Sequence, residues 1–154
     1  MISNQVFRQI IKEKNIIIPW LKREDLQLLK TPFIYAMPSY LMEDYKKIKA
    51  SLNIQYAGVW VGEIMKERLV PDHALALSNL LKDEIPATDL NYEQAIHYLQ
   101  RAELNINTES KGWQLVRYQH HNIGWINALS NRINNYYPKE LRILKQNDGS
   151  GFQK

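Results

Sequence analysis

The stretch KGWQLVRYQHHNIGWINALSNRINNYYPKELR, residues 111–142, decides how this chain folds. Its first half alternates apolar and polar residues twice. Gln114-Leu115-Val116-Arg117-Tyr118 and Ile123-Gly124-Trp125-Ile126-Asn127 flank a polar segment near His120-His121-Asn122. Two β-branched, aromatic runs around a polar turn predict an antiparallel hairpin. The second half crowds Asn134, Asn135, Tyr136, Tyr137, Pro138, Lys139 and Arg142 into nine positions. Amides and cations hydrogen-bond phosphates and base edges, and aromatic rings stack on unpaired bases. That mixture points to a nucleic-acid surface.

Working outward, the remaining elements read as short strands with helices between them. Phe33-Ile34-Tyr35-Ala36-Met37, ended by Pro38, reads as a strand. Ser39 then caps a helix carrying Met42, Tyr45 and Ile48. Leu52, Ile54 and Tyr56 alternate with polar residues and turn at Ala57-Gly58 into Val59–Ile64, which predicts a hairpin. Asp72 is placed to cap a helix running to Leu81, and residues 91–101 predict another. Upstream, residues 4–14 have helical spacing and 23–30 (REDLQLLK) suggest a second short helix. Residues 1–31 therefore read as a helical connector, 32–145 as the folded domain and 146–154, with Asn147-Asp148-Gly149-Ser150-Gly151, as a flexible tail. The implied class is α+β, a small mixed β-barrel with flanking helices, not a parallel α/β sheet.

Composition narrows the function. The 154 residues contain no cysteine, which excludes disulfides, thiolate metal sites and a cysteine nucleophile. The N-terminus lacks a signal-type apolar core and no run approaches a membrane span, so a cytoplasmic protein is expected. The net charge of +4 is uneven: +3 over residues 1–30, −4 over 31–110 and +5 over 111–154. Basic ends around an acidic middle suit a polyanion held at the ends.

These motifs, AGVWVGEI (57–64), PDHALALS (71–78) and the 111–142 stretch, come in the order seen in one group of proteins. The chain resembles, over roughly residues 32–143, the C-terminal PUA-like domain of bacterial Nop2/Sun-family rRNA 5-methylcytosine methyltransferases of the small-subunit methyltransferase F type. The resemblance implies a PUA-like pseudo-barrel that binds structured small-subunit rRNA beside a methyltransferase catalytic domain. Full-length members carry a glycine-rich S-adenosylmethionine loop and two cysteines, one the nucleophile. Neither motif stands in this sequence, so the implied role is RNA binding rather than methyl transfer. No cofactor, metal or small-molecule substrate is expected. A docking domain that contacts the methyltransferase core or a ribosomal protein is the alternative.

The candidate RNA-binding residues are Arg117, Arg132, Asn134, Asn135, Tyr136, Lys139 and Arg142. Each has a plainer reading. Pro138 and the tyrosines can close the fold, with one of Tyr136 and Tyr137 in the core, and an asparagine can cap a turn. Trp60, Trp113 and Trp125 read as core. His120 and His121 are adjacent, so their side chains point apart on a strand, and no third ligand is near in sequence for a metal. Asp72-His73 is explained by a helix start.

Overall fold

The computed structural model describes residues 16–22, 26–30, 33–108 and 110–144. The expected helix at 4–14 and the tail at 146–154 lie outside them. The chain forms two compact units, Met1–Ile85 and Pro86–Lys154. Each has a four-stranded sheet and helical segments, so the mixed helix-and-sheet class holds.

In the first unit an antiparallel sheet runs in the order β1 (Leu26–Lys30), β2 (Ile34–Pro38), β3 (Val59–Met65) and β4 (Arg68–Pro71). β1 corrects the sequence reading, which put a helix over 23–30. LQLLK fits either period over five residues, and backbone pairing of Leu28 with Ala36 and Gln27 with Met37 settles it as strand. Residues expected as a connector thus belong to this unit. Ile17 and Leu21 are buried in its core, and Leu21 bridges to Leu81. The Lys22 amide donates to Leu80 O (2.7 Å) and the Lys82 amide to Trp20 O (3.0 Å).

The expected hairpin of 52–56 with 59–64 is also corrected. β3 pairs instead with β2 and β4. Gly58 is not a hairpin turn but a close approach: with φ +78°, a Cβ there would sit 2.2 Å from Ala36 O. The real turn is Lys66-Glu67, where both residues have positive φ (47° and 63°) and Met65 pairs with Arg68. That is a two-residue type I′ turn, whose twist matches the flanking strands.

Two helices complete this unit. α1 (Met42–Ser51) buries no residue. α2 (His73–Leu77) packs Leu75 and Ala76 into the core, and Asp72 Oδ1 accepts from the Ala74 amide (2.7 Å), the N-cap read from sequence. α2 ends at Leu77, not Leu81. Ser78 is extended, and its hydroxyl donates to Leu75 O (2.8 Å) and accepts from the Leu80 amide (3.3 Å). A side chain that satisfies backbone groups locally competes with continued helix.

The second unit's sheet runs β5 (Ala87–Asp89), β6 (Gly112–Tyr118), β7 (His121–Ala128), β8 (Ile133–Asn135). The β6–β7 hairpin is the one read from sequence, with its turn one step earlier, at Gln119-His120 (φ 47° and 66°). β5 was not anticipated. It lies parallel to β6, with the Leu115 amide donating to Pro86 O and the Leu90 amide to Arg117 O. β8 falls in a segment expected to be irregular, and pairs antiparallel with β7.

α3 (Tyr92–Gln100) is preceded by a reciprocal cap. The Gln94 amide donates to Asn91 Oδ1 (2.9 Å), and the Asn91 amide to Gln94 Oε1 (3.0 Å). Such a box satisfies two helix-end donors that would otherwise lack partners. α3 buries Ala95 and Tyr98 against Leu90, Val116 and Ile126. Gln114, the buried polar side chain of β6, accepts from Thr88 Oγ1 (2.9 Å) and donates to Ser110 O. Its amide is satisfied, as a buried polar group requires.

Candidate functional site

A cleft of about 1490 Å³ opens on the second unit, walled by residues 101–108 with 110 and 111 on one side and 129–139 on the other. Its described lining carries the cations Arg101, Lys111, Arg132 and Lys139 against one carboxylate, Glu103. Five asparagines join them: Asn105, Asn107, Asn131, Asn134 and Asn135. Neighbouring cations in a concave, low-dielectric surface focus a positive field.

The geometry of the cleft begins at a buried residue beneath it. Tyr98 is fully buried on α3, and its hydroxyl donates to Trp125 O (3.1 Å). Burial pushes this phenol's pKa well up, so it stays a neutral donor. Gly124 makes room for it: a Cβ there would lie 2.1 Å from the Tyr98 hydroxyl. Tyr98 O in turn accepts from Asn135 Nδ2 (2.8 Å), and the Tyr98 ring meets Tyr137 edge-on at 5.5 Å. Asn135 Oδ1 accepts from the Tyr137 amide (2.8 Å). Core, helix and the Asn-Asn-Tyr-Tyr-Pro segment are therefore one connected structure.

Arg101 closes α3 from a left-handed conformation (φ 58°) and donates through Nη1 to Tyr137 O. That bond pins the 101–108 wall to the 129–139 wall at one end. Lys111 Nζ, 3.1 Å from Ser130 Oγ, joins the walls again.

The seven residues singled out from sequence divide into groups. Arg132, Asn134, Asn135, Tyr136 and Lys139 line the cleft. Within that set Asn135 has both ends of its amide engaged internally, as above. Arg117 does not line the cleft; its Nε donates to Asn122 Oδ1 (3.0 Å) near the β6–β7 turn. Arg142 is exposed, just past a short 3-10 turn at Lys139–Leu141, and also lies outside the lining. Tyr137 packs on the core while Tyr136 stays exposed, so the two tyrosines split between the roles weighed for them. Trp125 is buried; Trp60 and Trp113 are half-buried.

Sequence reading missed Arg101, Lys111 and the asparagines of the 101–108 wall. That wall has no regular structure and no periodicity to read. Only the alternation Asn105-Ile106-Asn107 hinted at it, with Ile106 packed on the core. Among the described residues no three His, Asp or Glu side chains are grouped to hold a metal. No helix among them is long and apolar enough to cross a membrane.

The part of the chain that carries this cleft is also the part that is similar to a known domain. Residues 85–143 match the family model for the PUA domain of the methyltransferase RsmF, and the resemblance noted above is to the same group. The chain is 27% identical over 92 residues to the ribosomal RNA small subunit methyltransferase F of Shewanella loihica (strain ATCC BAA-1088 / PV-4). That alignment covers 58% of this chain and 18% of the relative, so the chain spans under a fifth of the relative's length. Both comparisons therefore show a similarity to the PUA domain of an rRNA methyltransferase of the F type.

Proposed function

We propose that this chain is a non-catalytic RNA-binding module that positions structured small-subunit rRNA for a 5-methylcytosine methyltransferase. The observation that carries this reading is the cleft itself, whose described lining holds four cations, one carboxylate and five asparagines. Phosphate contacts from Lys and Arg supply most of the affinity in such interfaces, while amides contact base edges. The match to a PUA domain whose relative is named an rRNA methyltransferase supports the choice of RNA. In this reading the β5–β8 sheet belongs to a PUA-like barrel, and the cleft lies on that sheet's unit.

The test is a binding titration of the chain against a structured small-subunit rRNA fragment at two salt concentrations. Binding should weaken steeply with salt, and Arg132→Ala with Lys139→Ala should reduce the log–log salt slope by about 2, one unit for each phosphate no longer neutralised. Salt-insensitive binding, or none at low salt, overturns the reading.

One observation favours a second reading, a docking domain for the methyltransferase core. α1 buries no residue, and Leu41 before it, Ile48 on it and Leu52 and Tyr56 after it are exposed. Exposed apolar side chains concentrated in one stretch suit an interaction site. RNA binding that appears only when the catalytic domain is added would favour this second role.

A further inference from the structure

We infer that the cleft takes unpaired RNA, with one exposed base stacked on Tyr136. This rests on the RNA-binding reading and names the class of RNA.

Tyr136 is an exposed aromatic ring (39%) in the cleft lining. It is nonetheless held. Trp113 meets it edge-on, with ring centroids 4.4 Å apart and planes at 66°. Its backbone amide donates to Trp125 O (3.1 Å). Pro138 follows at φ −57°, and the Tyr137 amide before it is tied to Asn135 Oδ1. A partly exposed ring fixed by its neighbours loses little conformational entropy when a base lies on it.

The groups around the ring fit a nucleotide. Asn134, two residues away in β8, lines the cleft, and its amide makes no hydrogen bond with another described residue. Asn135, by contrast, spends its amide on the backbone of Tyr98 and Tyr137. Asn134 thus offers a donor and an acceptor to a base edge. Arg132 and Lys139 lie on the same wall, placed for the flanking phosphates.

Paired RNA meets this site poorly. In an A-form duplex the bases are stacked on one another, and the deep, narrow major groove hides their edges from side chains. The two walls of the cleft are also bridged, by Arg101 to Tyr137 O and by Lys111 to Ser130 Oγ. A splayed strand can offer a single base to such a cleft, whereas a duplex keeps its bases stacked on one another.

The experiment is fluorescence anisotropy with a labelled single-stranded oligoribonucleotide and with the same strand annealed to its complement. Wild-type chain should bind the single strand more tightly. Tyr136→Leu, which keeps an apolar contact to Trp113 but removes the flat ring, should weaken single-strand binding about 5- to 100-fold. Tyr136→Phe should restore it. A 2-aminopurine base in the single strand should be quenched on binding to the wild-type chain, a readout independent of how well any variant folds. Equal or tighter duplex binding, no quenching, or no effect of Tyr136→Leu overturns the inference. If Arg132→Ala with Lys139→Ala still weakens salt-dependent binding in that case, the RNA-binding reading stands and only the unpaired class fails. Failure of both RNAs to bind at low salt overturns both.

Discussion

Replacing Gly124 with alanine should cost this unit about 3–6 kcal/mol, and most of that cost should be traceable to one neighbour. A Cβ at 124 would lie 2.1 Å from the Tyr98 hydroxyl and 3.0 Å from Tyr98 Cζ. No rotamer of alanine avoids this, because the contact is with Cβ itself. Tyr98 is fully buried, so it cannot swing aside without disturbing the core around Val116 and Ile126. Overpacking of that kind costs about 1–3 kcal/mol. Displacing the hydroxyl from Trp125 O removes a hydrogen bond worth about 1 kcal/mol. Backbone φ at 124 is +151°, a region that costs a residue with a side chain about 1 kcal/mol or more. Tyr98→Phe alone should be mild, about 0.5–1 kcal/mol, because Trp125 O keeps a second donor in the Tyr136 amide (3.1 Å). In the Tyr98→Phe background the nearest oxygen is gone and the ring carbons Cζ at 3.0 Å and Cε1 at 3.3 Å remain. Gly124→Ala should then cost about 1–2 kcal/mol less than in the wild type. Chemical denaturation followed by amide resonances of residues 112–135 would read this unit's own transition. Additivity of the two substitutions within about 0.5 kcal/mol would refute the argument that steric conflict with the hydroxyl dominates.

Three further outcomes are expected. Asn135→Ala should destabilise the second unit by about 2–3 kcal/mol, because Tyr98 O and the Tyr137 amide lose their partner, while Asn134→Ala should stay within about 0.5 kcal/mol; thermal unfolding of the two variants compares them directly. Replacing Lys66-Glu67 with Asn-Gly should raise stability by about 0.5–1 kcal/mol, since both positions have positive φ in a type I′ turn, and an unchanged denaturation midpoint would contradict this. Tyr98 should make the second unit lose stability at alkaline pH. Its folded pKa is raised by burial, so above about pH 10 an unfolded tyrosine releases a proton that the folded one holds, and stability falls by up to about 1.4 kcal/mol per pH unit. Below about pH 10 it contributes no slope, and Tyr98→Phe should flatten the alkaline limb by about one proton.

What the sequence revealed follows from where its local signals agreed with the tertiary structure. Asn91-Tyr92-Glu93-Gln94 carries a cap that needs no distant partner, and α3 begins there. The β6–β7 hairpin alternates over enough residues for period two to be unambiguous. Leu26–Lys30 offers five residues of mixed pattern, and only its pairing with β2 decides it. β5 is three residues long and parallel, so its hydrogen bonds come from a strand far along the chain, which no local window contains. The cleft shows the same limit. Arg132 and residues 134–139 announced themselves by composition, but the 101–108 segment is irregular, and its residues acquire meaning only when α3 and β6 set it in place.

The pair Asn134-Asn135 shows why residue type alone could not separate scaffold from ligand surface. Neighbours on a strand point to opposite faces. Which of two identical amides turns toward Tyr98 depends on register: β8 pairs Asn135 with Ile126 and Asn134 with Asn127. A slip of one residue would exchange their roles. The same alternation continues beyond the strand, where Tyr136 is exposed against Trp113 and Tyr137 packs against Tyr98. Supporting and exposed residues therefore interleave along one short segment. Removing the segment, or mutating it in blocks, would unfold the cleft and abolish binding for a reason unrelated to recognition. Single substitutions at 134 and 136, with 135 and 137 left intact, separate the two, because the side-chain hydrogen bonds that hold the segment run through the residues left in place.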